Sequence, residues 1–205
     1  MSRLVELARA DDYDEFKLTV LLVQLGDMAG YRAHCQNMVT RFGAANDPGP
    51  LDKTAKVCLL SVEPGFDLET SCGLADRALT SGKDSVWLYY FQLVKGLAEY
   101  RAGHFASAVD WVSKSIGQPT TVGGPSTDWN RDSAAYAVLA IAQHQLKHLD
   151  EAHAALAKAT DIVNTKLPSL QNGPLDENWV DWLIAHILLR EAKALIQRPP
   201  ATPKE

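Results

Sequence analysis

Apolar side chains recur at three- and four-residue intervals along most of the chain, in blocks separated by clusters of Gly, Pro, Asn and Thr. That spacing puts the apolar residues on one face of a helix. It predicts helices over 14–25 and 31–42, 51–62 and 68–80, 86–102 and 105–116, 133–146 and 151–163, and a last one over 177–196. In the eighth, Ala152, Ala155, Leu156, Ala159 and Val163 form one stripe. Longer breaks fall at 43–53, 117–128 and 166–178, and tight ones at Gly26-Asp27, Pro64-Gly65 and Gly103-His104. Asp67 suits the N-cap of the helix that follows it. Residues 1–12 read as a lead-in and 13–197 as one helical domain. The stretch 198–205 reads as a disordered tail, because its adjacent prolines cannot continue a helix. Short turns within pairs and longer loops between them point to stacked helical hairpins rather than a closed bundle.

Composition agrees and narrows the class. The chain has 27 Ala and 26 Leu against 14 Val and 6 Ile, which favours helix over sheet and predicts an all-α fold. A net charge of -5 argues against nucleic acid or an anionic membrane as partner, since both need concentrated Lys and Arg. No apolar run approaches the length of a membrane span, and acidic residues at Asp11, Asp12, Asp14 and Glu15 disagree with a signal peptide. Cys35, Cys58 and Cys72 are odd in number and widely spaced, so buried reduced thiols are expected rather than disulfides or a zinc site. These features imply a cytoplasmic setting.

The third and fourth helix pairs superpose in sequence. Gly96, Gly103, Phe105, Ala108, Val112 and Ser115 fall at the same offsets as Ala140, Lys147, Leu149, Ala152, Leu156 and Ala159. This pattern resembles the tetratricopeptide repeat (TPR): small residues where two helices touch, and a large apolar residue after the turn. The two copies lie 44 residues apart instead of the usual 34, the excess falling in the Gly/Pro-rich loop. Lys147 stands where the repeat places a turn glycine, which implies some backbone strain. Lys95 and Glu99 occupy positions that are usually apolar or Tyr; at i and i+4 they can form an ion pair or a polar spot for a partner. The segments 25–43, 54–60, 74–79 and 96–109, in that order, look like the TPR region at the C-terminal end of certain bacterial multidomain proteins. There it often follows a serine/threonine kinase-like domain. No Gly-rich loop, His-Arg-Asp or Asp-Phe-Gly of a kinase is present in this chain. The resemblance implies a right-handed α-solenoid of antiparallel helix pairs with a C-terminal capping helix.

Candidate chemistry is sparse. His144 and His148 have the i, i+4 spacing of a zinc pair, with Asp150 and His153 close by, but His148 falls in a turn and no further ligand is apparent. The run 120–125 (TTVGGP) is rich in glycine but carries no lysine and follows no strand, so it reads as a loop and not a phosphate cradle. No catalytic, cofactor or metal residue is assigned.

The family resemblance supplies a better site. The concave surface of a TPR array is lined by the first helix of each pair. That implies Tyr90, Leu93, Leu97, Tyr100 and Arg101 from the third pair, with Ala137, Ile141, His144 and Gln145 from the fourth. Members that clamp a C-terminal carboxylate carry Lys and Asn there. Leu93, Leu97, Ala137 and Ile141 instead imply an apolar, aromatic-lined groove for a helix or an extended peptide, unless these residues merely pack between repeats. The leading expectation is therefore a non-enzymatic scaffold for a protein or peptide partner. The alternatives are an oligomerisation or regulatory module of a larger signalling protein and, more remotely, a metal-dependent enzyme using His144, His148 or His153. The last helix is apolar on more than one face, through Trp179, Trp182, Ile184 and Leu188 among others; it either caps the array or forms a homodimer contact.

Overall fold

The computed structural model describes residues 12–63, 65–118, 128–171 and 178–197. Among these residues every regular element is helical, as the balance of Ala and Leu over β-branched residues predicts. The expected tail at 198–205, the loop at 120–125 and nearly all of the lead-in lie outside the described residues.

The helices are α1 (Asp12–Leu25), α2 (Met28–Phe42), α3 (Pro48–Leu59), α4 (Leu68–Ser81), α5 (Leu88–Arg101), α6 (Phe105–Ser115), α7 (Trp129–Gln145), α8 (Leu149–Lys166) and α9 (Trp179–Ile196). Several start ahead of the expected bounds, because a side-chain cap sets the boundary. Asp47 accepts from the Gly49 N–H, so α3 begins on Pro48, where a missing donor costs nothing. Asp128 accepts from the Arg131 N–H and starts α7 four residues before the expected 133. Asp67 caps α4 through the Thr70 N–H at 2.8 Å, and that bond holds its carboxyl below the ordinary value.

Consecutive helices pack in pairs, α1 on α2, α3 on α4, α5 on α6 and α7 on α8. The odd-numbered helices also touch one another in sequence, forming one layer from α1 to α7. Three of the four hairpins use one turn. Gly26, Gly103 and Lys147 take left-handed φ values of 76°, 82° and 67°. The next N–H then bonds back five residues, from Asp27 to Leu22, His104 to Glu99 and His148 to Gln143, at 2.9–3.0 Å. His104 and His148 repeat the motif in their side chains, with Nδ1 against Glu99 at 2.9 Å and Gln143 at 2.8 Å. Lys147 holds a conformation that suits glycine, as its place in the repeat implied. The close approach within the third pair is real too. A Cβ on Gly96 would lie 2.4 Å from Val112 Cγ1, and Ala140 at the matching position is fully buried.

Lys95 and Glu99 do pair, at 2.5 Å, and Asp76 joins them. Cys35 and Cys58 are buried free thiols and Cys72 is partly buried. Arg131 is 1% exposed and donates to Asp132 and to the Gln118 carbonyl, while Asp132 accepts from the Gly117 N–H. That cluster fastens the end of α6 to the start of α7.

The last helix does more than cover the final pair. It packs on α7 and α8 and also reaches α1, so it links the two ends of the layer of odd helices. Its residues Trp182 to Ala185 and Ile187 to Leu189 are all buried, which accounts for an apolar pattern spread around the helix.

Candidate functional site

α9 runs parallel to the odd helices. Its first turn stands beside the starts of α1, α3 and α5, and Glu191 near its far end meets the ends of α3 and α5. The inner layer therefore has two chemically distinct ends.

At the end where α3 and α5 finish, Arg101 donates from Nε to the Leu59 carbonyl at 2.9 Å and grips both carboxylate oxygens of Glu191, one at 2.7 Å. Tyr100 donates to the same carboxylate at 3.2 Å. Burial, and then the Glu191 charge, push the Tyr100 phenol up to about 12. The guanidinium fork matches a carboxylate in two places, so this is a strong and directional clasp. Two unpaired carbonyls at the C-terminus of α3 are satisfied at the same time.

At the other end lies a cavity of about 570 Å³, within the range of small-ligand and peptide side-chain sites. α1 contributes Asp12, Tyr13 and Phe16; α3 contributes Asp52, Lys53 and Lys56. Trp87 and Tyr90 come from the start of α5, and Asp181 from α9. Lys56 and Asp52 are i, i+4 on α3 and bond at 3.1 Å with side chains only 8% and 5% exposed. The second Asp52 oxygen, Oδ1, is buried with no hydrogen-bond partner among the described residues. Lys53 pairs with Asp12 across to α1. Tyr90 donates its hydroxyl to Asp128, the cap of α7, and its ring lies 5.0 Å from the Lys56 ammonium.

Charge at this end is out of balance. Burial pushes the carboxyls of Asp52 and Asp181 above their ordinary values, although Lys56 pulls both down. Burial alone would lower Lys56, but the charges of Asp52, Asp181 and Asp128 more than offset it and its ammonium is held above the usual value. Tyr90 is pushed up by burial and then by Asp181 and Asp128. Three cations face three carboxylates in direct pairs, Lys53 with Asp12, Lys56 with Asp52 and Arg131 with Asp132. Asp47, Asp128 and Asp181 form no salt bridge among the described residues.

The residues expected to line a groove divide three ways. Leu93, Leu97, Ala137 and Ile141 are at most 5% exposed and pack between helices, so they offer no open apolar floor. Tyr100 and Arg101 are engaged by α9. Tyr90 alone opens on the cavity. His144 has a buried Nδ1 without a partner among the described residues, while the His148 Nδ1 is engaged by Gln143. Asp52, Lys56, Asp181 and Trp87 were not singled out by sequence reasoning. An Asp between two Trp was the signal present.

Among the described residues no helix is long and apolar enough to cross a membrane. No protein-family model matches the chain, and no curated protein is significantly similar to it.

Proposed function

We propose that the chain is a TPR-like, non-enzymatic scaffold whose binding site for a protein segment is the cavity at the start of the inner helices. The observation that carries this reading is the contrast along one layer. α9 fills one end with matched partners, whereas the other keeps an open cavity with a half-exposed Trp87 at its rim. The repeat interpretation is supported by the turn shared by three hairpins and by the buried small residues Gly96, Ala108, Ala140 and Ala152. A docking module of a larger signalling protein is compatible with the same site. The burial of Trp182, Ile184 and Leu188 within the chain favours the capping role of α9 over a homodimer contact. A site for a protein segment calls for a concave aromatic surface with a few convergent polar groups, and the cavity has both.

Panning a random peptide library on the immobilised chain tests the reading. Peptides should be enriched, and Trp87→Ala should weaken the selected ones by about tenfold or more, as loss of an exposed aromatic anchor does. The Trp87 side chain makes no capping bond, so helical circular dichroism should be unchanged. Failure to enrich any peptide, or equal binding by Trp87→Ala, would overturn the assignment.

A further inference from the structure

We infer that the cavity accepts a cationic side chain, lysine or arginine, of a bound protein segment, held between Asp181 and Asp52 and against the face of Trp87. This rests on the proposed scaffold role and specifies its chemistry.

Four helices start at this cavity, and helix starts ordinarily attract anions. Here that preference is already answered from within. Asp47 caps α3, and Asp128 caps α7 close behind Tyr90. Lys53 and Lys56 point at Asp12 and Asp52, so an incoming anion would meet carboxylates and no unpaired lysine. An incoming cation would meet the reverse. Asp181 forms no salt bridge among the described residues, and Asp52, which lines the cavity, keeps a buried oxygen that has no hydrogen-bond partner among them. Leaving a buried carboxylate oxygen unpaired is costly, and a charged donor is the group that relieves it best.

The aromatic walls agree. The Tyr90 and Phe16 rings already lie 5.0 Å and 5.6 Å from the Lys56 ammonium, which shows that this end stabilises cations against ring faces. Trp87 meets Tyr90 edge-on at 5.9 Å and is 54% exposed, which leaves a large ring at the entrance for the stem of a long side chain. The elevated carboxyls of Asp52 and Asp181 point the same way, since a bound cation would pull both down as Lys56 already does.

The test uses the full chain and three capped pentapeptides, Ala-Leu-X-Leu-Ala with X as lysine, norleucine or glutamate, titrated by calorimetry. The lysine peptide should bind at least tenfold more tightly than the norleucine peptide and weaken as salt is raised, and the glutamate peptide should not bind. Asp181→Asn, a partly exposed isosteric change, should abolish the preference for lysine while its circular dichroism stays native and its melting temperature does not fall. Asp52→Asn should do the same if it folds. Equal binding of all three peptides would overturn the cationic site yet leave the scaffold reading standing, as would a lysine preference untouched by Asp181→Asn. Binding of n-butylammonium as tight as that of the lysine peptide would assign the cavity to a free amine and overturn the protein source. No binding by any pentapeptide overturns the inference; the library experiment then decides the scaffold reading separately.

Discussion

Where α3 and α5 finish, Arg101 meets Glu191 and two carbonyl oxygens, and Tyr100 meets the same carboxylate; where they start, among the described residues, Asp52 keeps an oxygen unbonded and Asp181 forms no salt bridge. Both ends bury charge, and both belong to the same helices. The difference lies in what α9 brings. Its Glu191 arrives with two oxygens for a guanidinium that would otherwise be buried alone, but its Asp181 arrives where carboxylates are already in excess. A helix that seals one end thus leaves the other with an unmet electrostatic demand. Sealed charge is structural, whereas the charge left wanting a partner is what the proposed binding site rests on.

The largest effect should come from breaking the sealed end. Glu191→Ala strands the Arg101 guanidinium and should cost about 3 kcal/mol in urea unfolding. Replacing both partners, Arg101→Met with Glu191→Leu, should recover most of that loss, because an apolar pair of similar volume needs no counter-charge. If the double variant were as unstable as the single one, the carbonyl contacts of Arg101 would be the dominant part of the clasp.

A smaller change sharpens the sealed end. The three hairpin turns with a left-handed residue all sit there, at the ends of α1, α5 and α7, and one of them is held by Lys147. Lys147→Gly should raise stability by roughly 0.5–1 kcal/mol, the relief of a left-handed β-carbon less the added freedom of glycine in the unfolded chain. Gly103→Ala at the equivalent turn should move the melting temperature the other way.

The smallest effect belongs to the open end. Asp181 has a raised carboxyl value in the fold, so the folded protein binds that proton more tightly than the unfolded chain. Its charge therefore destabilises the fold at pH 7, and the penalty fades as pH falls through the raised value towards the ordinary carboxylate range. Asp181→Asn should raise the melting temperature slightly at pH 7, at about 2–4 °C per kcal/mol for a chain of this size, and lose that advantage in acid. A variant that stabilises the protein while removing its ligand preference would separate function from fold at one residue.

Helices and turns were legible because their signals are local. Each helix buries a stripe that repeats every three to four residues, and Gly26 and Gly103 announce left-handed turns. Ala108 and Ala152 reported a helix contact from sequence offset alone. The site was much less legible. Arg101 was placed on the inner face, but its partner Glu191 lies 90 positions along the chain and no local pattern links them. Asp52 and Lys56 have the spacing of an ordinary solvated pair. They are buried because α1, α2, α4 and α5 surround α3, a fact of packing that the segment itself does not encode. The expected groove residues Leu93, Leu97 and Ile141 failed as an open surface for the same reason, since α9 and neighbouring helices leave them in the core.

The reach of α9 from α7 and α8 back to α1 bears on how the molecule comes apart. In a row of helix pairs each unit leans only on its neighbours, so the ends can fray one unit at a time. A helix that touches both ends of the row links the first and last units, and neither can open without loosening it. Unfolding should then proceed as a single all-or-none step. Assembly should be slow for an all-helical chain, because the contact that completes it joins segments more than 150 residues apart in sequence.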